Sequence, residues 1–282
     1  MVSHEKPGYN VMNQEIKKYL ADDKRMDGRK PFEIREIEVT HNISKNAEGS
    51  VRVKVGKTEV LAGIKMGMGT PYPDHENEGT MMTGMELLPM SSPEFDYGPP
   101  SIRAIETSRV IDRGIRESGF IDFHGLCVEK GEKVWNIFID MAAINDDGNL
   151  LDVGALAAVI ALKTARMPAL DEDGNIKHGE FTDKGLPLVN DKMPITTTIC
   201  KLGDKMYVDP TKDEEKASEG RLTIEVSNSK EFDEPMINAM QKGKDIALTI
   251  EEVDIAVKEA TKMFKNLNTL VETEVKKAVK VK

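Results

Sequence analysis

Between Leu150 and Arg166 the chain carries only Asp152 and Lys163 as charges before the final arginine, and the rest is rich in Leu, Ala, Val and Ile. These residues favour a helix, and the helix has no polar face to offer water, so the pattern predicts one buried on most sides, in the core. Everything else must be arranged around it. The turn Asp146-Asp147-Gly148-Asn149 leads into this helix, and the apolar run from Val134 to Ile144 predicts a strand before it.

Val51, Val53 and Val55 alternate with Ser50, Arg52 and Lys54, the period-2 signature of a half-buried strand. Gly56-Lys57 then supplies a tight turn, and Val60 to Met68 returns as the partner strand. Another strand is expected around Ile34 to Val39. Gly, Pro and Met dominate from Gly67 to Pro100, leaving room for one short strand near Thr80 to Leu88 in an otherwise ordered loop. Six methionines from Met66 to Met90 read as soft core filling. A helix follows from Ser101 to about Glu117 and closes at Gly119.

Pro, Gly and Asp dilute the apolar content from Met167 to Pro194, the best place for a boundary between two subdomains. Beyond it, Ile195 to Cys200, Lys205 to Val208 and Leu222 to Ser227 are strand candidates. Thr249-Ile250-Glu251-Glu252 forms a capping box that opens a long final helix. A length of 282 residues fits one large domain or two modest ones, and the two successive strand-then-helix blocks suggest α+β or α/β layers built twice.

The charge balance limits function. With 49 acidic and 39 basic side chains the net charge is −10, so the whole molecule repels phosphate backbones and anionic lipid, and any nucleic-acid contact must be local. Cys127 and Cys200 stand far apart without a CxxC, which indicates neither a zinc site nor a disulfide framework and suits a reducing cytoplasm. No window approaches the ~20 apolar residues of a spanning helix, so no membrane role is expected.

The most informative element for chemistry is the helix after Ser101. With Arg109 at zero and ~100° per residue, Arg113 falls near about 40° and Arg116 near about −20°, while Ala104, Thr107, Ile111 and Ile115 fall opposite. Three guanidinium forks on one face suit the phosphates of a single strand. The competing reading is a solvated face on which Glu106, Asp112 and Glu117 neutralise the arginines at i,i+3 or i,i+4. Tyr72-Pro73-Asp74-His75-Glu76 lacks the second histidine of a metal site, and in Asp171-Glu172-Asp173-Gly174 the glycine comes too early for a calcium loop. Asp209, Asp213, Glu214 and Glu215 read as a solvated Asp-Pro-Thr turn. Phosphate-loop, dinucleotide, serine-hydrolase and zinc-protease fingerprints are missing, and neither a cofactor nor a metal is implied.

Four segments in order, Arg25-Met26-Asp27-Gly28-Arg29, Gly49 to Gly56, Ser108 to Arg113, and Asp147-Gly148-Asn149-Leu150-Leu151-Asp152, resemble RNase PH-type subunits across about residues 25 to 260. The nearest resemblance is to the non-catalytic RNase PH-like subunit of the archaeal exosome, with its N-terminal helical extension. It implies an α+β RNase PH-like fold whose first half is like ribosomal protein S5 domain 2. It also implies a division into residues 1–24 (extension), 25–192 (first subdomain) and 193–282 (second subdomain).

Members of the family cleave RNA from the 3′ end with inorganic phosphate. Catalytic members hold that phosphate with an arginine at the turn where this chain reads Gly148-Asn149-Leu150-Leu151, and leucine has no such fork. They also place an aspartate where this chain reads Glu219-Gly220-Arg221-Leu222. The resemblance therefore implies a non-catalytic subunit that structures the active site of a catalytic RNase PH-like partner. The implied setting is an alternating hexameric ring of three heterodimers with RNA-binding cap subunits, and Arg109, Arg113 and, as a third, Arg116 contact single-stranded RNA. An exoribonuclease active by itself and a purely architectural ring subunit are the alternatives.

Overall fold

The computed structural model describes residues 7–229 and 234–280. The helical extension appears as α1 (Pro7–Ala21); the first six residues of that expected segment and the last two of the chain lie outside the described residues. The first layer is a sheet of β1 (Ile37–His41), β2 (Gly49–Val55), β3 (Thr58–Gly69), β4 (Thr80–Leu87), β5 (Cys127–Glu129) and β6 (Lys133–Asn145). Its order is β1-β2-β3-β6-β4, with β5 on β6. The expected hairpin is β2–β3, turning at Gly56 with φ 59°. The first strand begins at Ile37, three residues later than Ile34.

β4 runs parallel to β6, so the chain must cross over between them, and α2 (Ile102–Ser118) makes that crossing. After β6 comes α3 (Leu150–Thr164), where every residue from Leu150 to Leu162 except Asp152 is buried. The charge-poor run fills the space between the first sheet and the second subdomain.

The second sheet has the order β10-β9-β11-β12, all antiparallel, from β9 (Ile195–Leu202), β10 (Lys205–Val208), β11 (Gly220–Ser227) and β12 (Met236–Gly243). The final helix α5 (Ile250–Lys280) starts with the expected box: Thr249 N–H donates to Glu252 at 2.9 Å and Glu252 N–H to the Thr249 hydroxyl at 3.2 Å. It buries Ala256, Ala260, Met263 and Phe264.

Two expectations need correction, and the stretch expected to hold the subdomain boundary carries strands of its own. The stretch after α3 is a two-stranded ribbon, β7 (Arg166–Leu170) with β8 (Ile176–Gly185), because Asp171-Glu172-Asp173-Gly174 is a hairpin turn: the Asp171 carboxylate accepts the Asp173 and Asn175 N–H groups at 3.0 and 2.7 Å. The supposed solvated turn after Asp209 contains the short helix α4 (Lys212–Ala217), and Asp209 and Glu214 are both only 2% exposed. The methionines divide: Met66, Met81 and Met85 fill the core, whereas Met82 and Met90 are exposed.

The extension packs on the second subdomain. Ile16 and Leu20 of α1 join Cys200, Leu202, Tyr207 and Ala217 in a small core of their own. Arg25 follows, fully buried, donating to Glu214 Oε1 (2.9 Å) and to the Val208 and Asp209 carbonyls (both 2.8 Å), with its guanidinium over the Tyr207 ring. Five donors in a fixed plane find five acceptors' worth of backbone and carboxylate, which is why an arginine can be buried here.

Candidate functional site

Helix α2 is held at both ends. The Ser101 hydroxyl accepts the Ala104 N–H at 3.2 Å, and Gly119, with φ 65°, donates its N–H to the Arg116 carbonyl. Ala104, Thr107, Val110, Ile111 and Ile115 are buried, packed between β4 of the first sheet and β11–β12 of the second. The helix thus bridges the subdomains with one face and exposes Arg109, Arg113 and Arg116 on the other, as the spacing predicts.

The three arginines differ in what surrounds them. Arg116 forms an ion pair with Asp112 at 3.0 Å, donates to the Met81 carbonyl at 3.1 Å and lies over the Phe123 ring. Glu106, a candidate neutraliser, is taken by Arg221 of β11. Among the described residues, Arg109 and Arg113 therefore have neither a hydrogen bond nor an ion pair, and Glu117 pairs with neither. Neutralisation holds for Arg116 and fails for the other two: Asp112 and Glu106 are engaged by Arg116 and Arg221, and Glu117 forms no ion pair with Arg109 or Arg113.

Arg109 and Arg113 line an open groove of about 560 Å³, with Thr83 of β4, Ser108 and Asp112 of α2 and Gln241 of β12 around it. The Thr83 hydroxyl donates to Asp112 at 3.2 Å, which adds to the restraint on that carboxylate. Glu106, Asp112 and Glu117 line the groove too, the first two engaged by Arg221 and Arg116, so the two arginines without an ion pair are left to suit an anion with several oxygens, and the open ends suit a strand. A second space, between α3, β9 and α5, is apolar and about 40 Å³, enough for a few waters but not a nucleotide.

The start of α3 has a different character. Leu150 and Leu151 are 2% and 7% exposed and belong to the core. The N–H groups of the turn that enters the helix are already engaged by this chain's own acids: Asn149 N–H donates to Glu215 Oε2 at 3.1 Å, and Gly148 N–H to Asp146 Oδ1 at 3.2 Å. Lys212 and Arg103 neutralise those carboxylates. Gly148 has φ 87°, and a Cβ there would come within 2.5 Å of the Pro210 carbonyl, so the turn is pressed against the second subdomain. An anion arriving at this helix terminus meets two carboxylates where it needs open donors.

Asp209 joins the turn to the rest. Its carboxylate accepts from Arg35 Nη2 (2.6 Å), Nε and backbone N (both 2.8 Å), from Arg29 Nη1 (2.9 Å) and from Asn149 Nδ2 (3.0 Å). Burial by itself would raise this carboxyl; the Arg35 bonds and charge, with Asn149, outweigh it and hold the group below the ordinary range. Nearby, removal from water pushes Asp152 up to about 7 against the bonds from Thr198 N–H (2.8 Å) and hydroxyl (2.6 Å).

Sequence reasoning missed Glu215 and Asp146 as occupants of the α3 terminus, and Gln241 because β12 was not foreseen. It also missed Glu225, whose one visible signal is the alternation Arg221, Thr223, Glu225 along β11.

The protein-family comparison matches the 3′ exoribonuclease family, domain 1 over residues 33–168 and domain 2 over residues 192–263. Among curated relatives, the exosome complex component Rrp42 of Methanosarcina mazei is 43% identical over 248 residues, covering 86% of this chain and 88% of that protein. The component of the same name from Pyrococcus furiosus is 40% identical over 271 residues, covering 95% of each. Among solved structures, a chain of the Archaeoglobus fulgidus exosome with RNA bound to the active site superposes with a TM-score of 0.83 at 37% identity, covering 93% of this chain and 98% of that one. A chain of an archaeal exosome core gives 0.79 at 34%, covering 94% and 97%. With its two sheets, bridging α2 and buried α3 matched along nearly their whole length, the chain belongs to the RNase PH-type 3′ exoribonuclease family, in the branch of the archaeal exosome component Rrp42.

Proposed function

We propose that this chain is the non-catalytic RNase PH-like subunit of a cytoplasmic archaeal exosome, and that it grips single-stranded RNA beside the active site of a catalytic partner. The observation that carries the reading is the pair Arg109 and Arg113, exposed on a helix anchored at both ends and, among the described residues, without a hydrogen bond or an ion pair. The helix fixes the spacing of their backbones, so the ordering cost on binding a phosphate is confined to the two side chains. Arg116 is a weaker third contact, since RNA must compete with Asp112 for it.

Two features support a non-catalytic role. At the turn into α3, where the resemblance calls for a phosphate clamp, Glu215 and Asp146 occupy the N–H groups of Asn149 and Gly148. Where it calls for an aspartate, Arg221 stands in an ion pair with Glu106. Phosphorolysis needs free donors for the attacking phosphate and a carboxylate near the leaving group; at the first place this chain's donors and cations are paired with its own acids, and at the second an arginine stands in place of the acid. The alternating ring of three heterodimers, the RNA-binding caps and the subdomain division after residue 192 belong to the same reading.

The test compares the purified chain with its assembly with the catalytic partner. Poly(A) and phosphate should give no nucleoside diphosphates with the chain alone and should give them with the assembly. In the assembly, Arg109→Ala with Arg113→Ala should weaken RNA binding and lower the log K against log salt slope by about 1.4, at roughly 0.7 per single-strand phosphate contact. Activity from the isolated chain would refute the non-catalytic role. An unchanged affinity and slope at matched salt would leave a purely architectural subunit.

A further inference from the structure

The second sheet has two unlike faces. Leu222, Ile224 and Val226 of β11 share the side of Ile195 and Ile199 of β9, packed under α5. Arg221, Thr223 and Glu225 point the other way, toward α2, beside Thr196 and Thr198 of β9 and Ala239 and Gln241 of β12. Most of this polar layer is satisfied. Thr223 and Thr198 share a hydrogen bond at 3.0 Å, Thr198 also donates to Asp152, and Arg221 pairs with Glu106.

The Arg221 Nε is left without a hydrogen bond, and so is Glu225. It is 2% exposed, and neither of its carboxyl oxygens has a hydrogen-bond partner. Gly114 of α2 lies directly over it: a Cβ at that position would come within 2.1 to 2.3 Å of the carboxyl group. Backbone N–H groups in mid-helix are spent within the helix, so α2 offers no donor. Glu225 and Arg113 line the same small recess with Val110, Thr223 and Gln241, without forming an ion pair, and Val110, Arg113 and Gln241 line the groove as well.

We infer that Glu225 is a positioning residue of the RNA groove, whose buried carboxyl, by keeping or releasing its proton, decides whether Arg113 reaches out to a phosphate or is drawn inward. The inference rests on reading Arg113 as an RNA contact. The charged groups facing Glu225 are Arg113 from α2 and Asp152 from α3; Thr196 on β9 and Ala239 and Gln241 on β12 are neutral, and Asp112 and Arg116 are paired with each other. Burial pushes the Glu225 carboxyl up to about 8, with Arg113 pulling it down and Asp152 pushing it further up. Near neutrality the group keeps its proton and Arg113 is unopposed. Above that range the proton leaves to solvent, and a carboxylate appears beneath the guanidinium to compete with RNA.

The experiment measures binding of a fluorescent oligoadenylate to the assembled complex, in phosphate-free buffer at constant ionic strength, from pH 6.5 to 9.5. Adenine does not titrate in that window. The wild-type complex should lose about three- to tenfold in affinity across it, the worth of one charge-assisted phosphate contact. Glu225→Gln keeps the shape and cannot ionise; it should bind within about twofold of wild type at pH 7 and stay flat to pH 9.5. Arg113→Ala should bind weakly and without this pH dependence. A Glu225→Gln profile that falls like wild type, or a flat wild-type profile, would overturn the role of Glu225. Wild-type affinity in Arg113→Ala at pH 7 would instead overturn the RNA reading of Arg113 itself, so the two failures are distinguishable.

Discussion

Asp209→Ala should be among the most damaging single substitutions in this chain, although Asp209 touches neither the groove nor its arginines. Its carboxylate accepts five hydrogen bonds at 2.6 to 3.0 Å from Arg29, Arg35 and Asn149, and its side chain is 3% exposed against 8% for Arg35 and 11% for Arg29. It thereby ties the segment after α1, the turn into α3 and the end of β10. Removing one partner of such a buried pair leaves the other charges without compensation, at a cost of about 3–5 kcal/mol. For a chain of this size, each kcal/mol lowers Tm by about 2–4 °C, so the fall should be roughly 6–20 °C. Differential scanning calorimetry at pH 7 measures it.

The pH dependence gives a second check on the same substitution. Asp209 is held below its ordinary value in the folded chain, so its contribution is fully present above the unfolded value of about 3.9 and is lost as pH falls through the folded one. The deficit of Asp209→Ala relative to wild type should therefore be constant from pH 7 to about 5 and shrink below about 4. A fall in Tm of less than about 2 °C at pH 7, or a deficit that does not diminish in acid, would refute the reasoning.

Two other outcomes follow from contacts already described. Gly114→Ala gains up to about 1 kcal/mol of helix propensity but drives a methyl into the Glu225 carboxyl, so the net effect should be a loss of about 1–3 kcal/mol in thermal unfolding, recovered when Glu225→Ala is added. No recovery in the double variant would show that the two residues do not press on each other. Cys200 is 1% exposed, and burial, with the nearby Glu215 and Asp152 charges, pushes its thiol up to about 12; a chromogenic disulfide should label it only after denaturation, while Cys127 is the thiol open to reaction in the folded chain. Two equivalents of rapid labelling under native conditions would contradict this burial.

Local patterns in the sequence account for the elements that bury one face. The alternation of Val51, Val53 and Val55 and the glycine at residue 56 are sufficient to specify the β2–β3 hairpin, since a one-residue slip would expose its whole apolar face. The charge-poor run from Leu150 announces α3, and Ser101, Gly119 and the Thr249–Glu252 box mark the helix ends. Helical spacing also suffices to place Arg109, Arg113 and Arg116 together, because 3.6 residues per turn is independent of the surroundings.

Partnership across long separations is not written locally. Whether a given arginine is free depends on which acids reach it: Asp112 goes to Arg116, while Glu106 goes to Arg221, more than a hundred residues away. The segment from Asp209 looks like a solvated turn because its acids are compensated from afar: Asp209 and Glu214 by Arg25, Arg29 and Arg35, which arrive from the other end of the chain, and Glu215 by Arg103. Glu225 likewise reads as one more strand residue until α2 is laid across it at Gly114. The backbone periodicities are short-range, so the sequence carries them openly; burial, pairing and proton affinity are properties of neighbours, and only the tertiary fold assigns neighbours.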